Sequence, residues 1–113
     1  MINLDSPVAV VAHDAGAANL ILACLMESPK IGFQVCLGGP AEKLFKQKYP
    51  DLINLPLKEV FKGAASLLSG TSGFTDLEHD ARIVASQLRM PSIAVIDHWV
   101  NYRIRFERAG QYI

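Results

Sequence analysis

The residues of this chain that could do chemistry fall into three short segments. The first is HDAG, where His13, Asp14 and Gly16 interrupt two apolar stretches. Two readings are open there. His13 and Asp14 cap and turn the chain, or His13 faces a ligand. Backbone N–H groups at the start of the helix that follows can donate to an anion, and Asp14 and Asn19 can serve as local caps instead. The second segment is GTSG, with Gly70, Thr71, Ser72 and Gly73. Two hydroxyls and two glycines before a helix can hold a phosphate or a sugar hydroxyl, and the same residues also make an ordinary turn. The third is DHWVNYR, from Asp97 to Arg103. Asp97 ends an apolar run, where an unpaired carboxylate is costly, so it needs a donor such as the GTSG loop. Trp99 and Tyr102 pack under a sheet edge or face a sugar ring. Asn101 and Arg103 position a ligand or bond to a further domain.

Several familiar chemistries are excluded. HDAGAA has one of the three glycines of a dinucleotide fingerprint, and no GK[ST] follows it. No His/Cys/Asp/Glu spacing suits zinc. Ser72, His13 and Asp97 can be drawn as a triad, but no G-x-S-x-G elbow accompanies them. Neither a cofactor nor a metal is expected.

The elements that must position these segments follow from pattern. VAVVA, residues 8–12, is β-branched and without polar alternation, as a buried parallel strand requires. A helix is predicted from Ala17 or Ala18 to Glu27, ended by Ser28-Pro29. FQVCL, 33–37, is a second strand. Pro40 then suits the first turn of a helix closed by Pro50. Leu52 to Leu55 is predicted as a short third strand, and LKEVF as one helical turn. Residues 64–69 form a fourth strand. Thr75 and Glu78 fit a capping box, which assigns Glu78 to the helix start and not to catalysis. Leu77, Ala81, Val84, Ala85 and Leu88 make an apolar helical stripe, with His79 on the exposed face. Residues 92–96 are a fifth strand.

Strands alternating with helices predict an α/β domain over residues 1–113 with right-handed crossovers. The expected form is a Rossmann-like, open doubly wound parallel sheet of order 3-2-1-4-5 in three α/β/α layers. Ligands bind such sheets beyond the carboxyl ends of the strands, where strand order reverses. The three polar segments should therefore meet on one rim, between the first and fourth strands.

Bulk properties bound the function. The chain has 113 residues, half of them hydrophobic, and no formal net charge. Its mean hydropathy is +0.22, which fits a sheet covered on both faces and a partner surface beyond this chain. No basic face suits nucleic acid. No run approaches about 18 consecutive apolar residues, so no membrane span is expected. The N-terminus lacks the pattern of a signal peptide. Cys24 and Cys36 suit buried free thiols of a cytoplasmic protein.

HDAGAANLI after the first strand, and SGTSGFTDLEHDARIVASQLRMPSIAVIDHWVNYRIRF later, resemble the N-terminal domain of bacterial GT-B-type nucleotide-sugar enzymes. These include UDP-GlcNAc 2-epimerases and polysaccharide glycosyltransferases. The resemblance covers nearly the whole chain, and its second half is the more specific. It implies two Rossmann-like domains, the C-terminal one holding most of the donor and the N-terminal one facing the acceptor. It implies a catalytic base in the loop after the first strand, where His13 stands in place of the glycine-rich loop of many members. It also implies ligand contacts from Gly70, Thr71, Ser72, Asp97 and His98. On this reading the chain is the N-terminal lobe of a larger enzyme of polysaccharide biosynthesis. It would act on a nucleotide sugar or a sugar acceptor and be inactive without its C-terminal domain. The alternative is a non-catalytic module that binds a phosphorylated small molecule or self-associates into a homo-oligomer.

Overall fold

A computed structural model describes residues 5–71 and 75–95, together with the backbone of 107–108 and 111–112. Strands and helices follow in the order β1 (Val8–Ala12), α1 (Ala15–Glu27), β2 (Phe33–Leu37), α2 (Gly39–Lys48), α3 (Leu57–Val60), β3 (Ser66–Ser69), α4 (Leu77–Gln87) and β4 (Ser92–Ala94). A separate antiparallel pair joins β5 (Glu107–Arg108) to β6 (Gln111–Tyr112).

The main sheet is parallel throughout, in the order β2-β1-β3-β4. All five residues of β1 are fully buried. That is why its sequence carries no polar alternation: a central parallel strand has helices on both sides. Val8, Val10, Ala12 and Leu68 face one layer, with Ile21, Leu25 and Phe45 of α1 and α2. Ala9, Val11 and Leu67 face the other, with Val60, Ala81 and Ala85 of α3 and α4. Phe33 and Tyr49 meet edge to face at 5.3 Å and tie the end of α2 to the start of β2. The Gln34 amide donates to the Val60 and Lys62 carbonyls and pins α3 beneath the same strand.

The five-strand order 3-2-1-4-5 is corrected to four strands. The expected third strand, Leu52 to Leu55, contributes one parallel bridge, Asn54 to Val35. The cause is chemical. The Asn54 side chain accepts the Leu37 N–H at 2.7 Å and donates to the Leu37 carbonyl at 2.8 Å. A carboxamide thus takes both groups that a neighbouring strand would have used, and no ladder extends past it. The remaining strands keep their expected places, the fourth shortened to Ser66–Ser69 as β3. The fifth ends at Ala94 as β4, with Val95 beyond the strand, and Ile96 lies outside the described residues. Helix α1 begins at Ala15, two or three residues before its expected start.

Candidate functional site

The strand order reverses at β1, which pairs with β2 on one side and β3 on the other. Backbone hydrogen bonds join the carboxyl ends of these three strands. Gly70 N–H donates to the Val11 carbonyl and Gly38 N–H to the Ala12 carbonyl, both at 3.0 Å. Ala41 N–H donates to the His13 carbonyl, also at 3.0 Å. His13 therefore sits at the middle of a stitched rim, with GG of the β2–α2 turn on one flank and Gly70 on the other.

The question left open at Asp14 has a geometric answer. Asp14 occupies the N-cap position of α1, and its carbonyl accepts the Ala18 N–H at 3.0 Å. Its side chain makes no cap hydrogen bond to the helix. The carboxylate instead takes the His13 Nδ1 at 2.7 Å. Both side chains are about a third exposed, at 30% and 34%. An imidazole held by a carboxylate at Nδ1 keeps Nε2 as its proton-accepting atom. The pair can thus move a proton at Nε2.

Gly38 and Gly39 form the seat of that ring. A Cβ on Gly39 would stand 2.7 Å from His13 Nε2 and 2.8 Å from Cε1, and the residue has φ +48°. Gly39→Ala is expected to push the imidazole off the rim. The left-handed backbone adds a penalty of about 1–2 kcal/mol. A lowered melting temperature, together with a changed His13 ring signal in NMR, would show both effects.

The other flank carries residues that the sequence pattern placed elsewhere. Glu78 is fully buried and not a capping-box residue. The N-cap of α4 is Asp76, and the Thr75 hydroxyl accepts the Leu77 N–H at 3.3 Å. Glu78 Oε2 accepts the His13 N–H at 3.3 Å, from 65 residues away. It also lies against Gly70, where a Cβ would come within 2.0 Å of it and 2.7 Å of the Ala17 Cβ. Arg82, one helical turn further, donates from Nη1 to the Gly70 carbonyl at 2.9 Å. His79, expected on an exposed face, is buried, while Leu88 of the expected apolar stripe is 56% exposed. The buried residues of α4 are thus Glu78, His79, Ala81, Arg82 and Ala85, of which Glu78, Ala81, Arg82 and Ala85 follow one another at spacings of three, one and three. That is itself a helical stripe. Two of its members, Glu78 and Arg82, are ionisable residues, which a pattern of apolar residues alone does not include.

Of the remaining site residues, Gly16 is half-buried at the second position of α1. Thr71 is buried, and its hydroxyl donates to the Val95 carbonyl at 3.0 Å, tying the end of β3 to the end of β4. Ser72, Asp97, His98 and Asn101 lie outside the described residues, as does Trp99. The structure therefore brings His13 and Asp14 onto one rim with Gly70 and Thr71. Burial raises the Cys36 thiol pKa, and both cysteines are free. Among the described residues no group of three or more His, Cys, Asp or Glu could hold a metal ion. No helix there is long and apolar enough to cross a membrane. Comparison of the chain with protein-family models, curated proteins and solved structures finds no match.

Proposed function

We propose that this chain is the Rossmann-like N-terminal lobe of a nucleotide-sugar-dependent glycosyltransferase or 2-epimerase-like enzyme, with His13 as its general base. The observation that carries this reading is the 2.7 Å bond from His13 Nδ1 to a carboxylate that stands at a helix cap and does not cap. A turn needs no such pair. A base does: the carboxylate fixes the orientation of the ring and leaves Nε2 to take a proton. In a transferase that proton comes from the acceptor hydroxyl as it attacks the anomeric carbon. In an epimerase it comes from a sugar carbon. Gly70, Thr71, Ser72, Asp97, His98 and Asn101 belong to the same rim in this proposal. A C-terminal domain holds the nucleotide.

The test is turnover of nucleotide sugars by the full reading frame, wild type against His13→Ala. Loss of a general base lowers kcat by about 10²–10⁴. Equal rates in the two proteins would remove His13 from the mechanism. Saturable sugar binding with no turnover in either protein would favour the binding-module reading.

A further inference from the structure

The His13 imidazole is under two restraints, and they differ in kind. Asp14 holds Nδ1 at 2.7 Å, but its carboxylate belongs to the next residue in the chain and is about a third exposed. Alone, such a contact lets both side chains turn together. The second restraint is steric. The far edge of the ring lies against Gly38 and Gly39, where a Cβ would come 3.1 Å from Cδ2 and 2.7 Å from Nε2. The imidazole is therefore placed only as well as that corner is placed, and two consecutive glycines leave a backbone very free to move.

The corner is fixed from outside. The peptide unit between Leu37 and Gly38 is planar, and it is held on both sides. Its N–H, on Gly38, donates to the Ala12 carbonyl of β1 at 3.0 Å. Its C=O, on Leu37, accepts the Asn54 Nδ2 at 2.8 Å. The same carboxamide accepts the Leu37 N–H at 2.7 Å and donates to Glu42 Oε2 at 3.0 Å. Glu42 stands in the first turn of α2. One side chain thus joins the last residue of β2 to the start of α2 and spans the two glycines. The Leu55 N–H, donating to the Val35 carbonyl at 2.9 Å, keeps Asn54 beside the strand.

We propose that Asn54 is a positioning residue for His13: it fixes the glycine corner that seats the imidazole, and through it the point at which Nε2 takes a proton. The proton step rests on the functional reading of His13. The seat rests on the hydrogen bonds of Asn54 and the glycine contacts alone. Asn54 acts through the backbone, so its loss should free the ring without removing any group of the His13–Asp14 pair.

The experiment compares wild type with Asn54→Ala by NMR, reading the NOEs from the His13 ring protons to the α-protons of Gly38 and Gly39. Asn54 is half-buried, so water reaches the peptide groups that it leaves, and the variant is expected to fold. Gln34→Ala is the control, because it strips β2 of the side-chain bonds to the Val60 and Lys62 carbonyls and leaves the corner alone. Asn54→Ala is expected to lose the ring-to-glycine NOEs, and Gln34→Ala to keep them. In the full reading frame, with UDP-GlcNAc as the probe, Asn54→Ala is expected to lower kcat by up to about 10²-fold with KM unchanged. If Asn54→Ala does not fold, Glu42→Ala, which releases the carboxamide from α2, is expected to weaken the same NOEs. NOEs at full strength in Asn54→Ala, or in Glu42→Ala where that is the folded variant, overturn the proposal. So does their loss in Gln34→Ala, which would make the seat a matter of general stability. An unchanged kcat in Asn54→Ala beside a large loss in His13→Ala overturns it too. A His13→Ala protein with wild-type turnover removes the base reading and with it the proton step. The NOE comparison keeps His13 in place and still decides the seat, so the two failures are separable.

Discussion

Replacing Gly70 by Ala is expected to destabilise the protein by about 3–5 kcal/mol, more than a methyl group normally costs. The new Cβ would lie 2.0 Å from Glu78 Oε2 and 2.7 Å from the Ala17 Cβ. The backbone cannot easily retreat. Gly70 N–H is held by the Val11 carbonyl, and the Gly70 carbonyl by Arg82. The carboxylate must therefore move, which strips the His13 N–H of its acceptor and leaves polar groups buried without their bonds. Because one steric event displaces one shared side chain, Gly70→Ala and Glu78→Ala should be less than additive when combined. Urea denaturation of the two single variants and the double variant measures this. A Gly70→Ala protein as stable as wild type would mean that the carboxylate does not occupy that space.

The second large effect is expected at the opposite side of the sheet. Phe45 is fully buried in the cluster that holds Val10, Ile21, Leu25 and Val35. Phe45→Ala removes most of a large side chain from a site bounded by α1, α2 and the sheet. Such a cavity costs about 3–5 kcal/mol, against a total of about 5–15 kcal/mol for an ordinary domain. Phe45→Leu, which keeps more of the volume, should cost less than half as much. The denaturation midpoint should fall while the slope stays unchanged. A change in slope instead would mean that the variant had lost compactness as well as stability. The Gly70 and Phe45 effects should add, because their surroundings share no partner.

The two cases also show what the sequence made legible. Phe45 reads correctly because apolar burial leaves a local pattern. Between Pro40 and Pro50 the sequence places Leu44 and Phe45 among Lys43, Lys46 and Lys48, which are exposed. Phe45 is in fact buried, and Leu44 half-buried. β1 and β2 read correctly for the same reason. Glu78 did not. T-D-L-E satisfies a local capping rule, and the partner that wins the carboxylate, His13 N–H, is 65 residues distant. Local spacing carries no trace of such a contact. A signal was nonetheless present in the stripe Glu78, Ala81, Arg82, Ala85, had small and charged residues been allowed to share a buried face. Asn54 failed differently. Leu52 to Leu55 has the composition of an edge strand, but one side chain replaced the ladder that composition alone predicts. His13 and Asp14 were visible as residues and undecided as a pair, because only coordinates show which group a capping carboxylate chooses.

Asn54 has a consequence for how the molecule meets copies of itself. The outer strand of a sheet normally invites a stranger to dock, backbone to backbone. On the β2 flank that invitation is withdrawn, because the last peptide groups of the strand are already held by the amide of Asn54. One border of the sheet is in effect hemmed. Among the described residues the other border of the sheet is β4. Strand addition is thus resisted at the carboxyl end of β2.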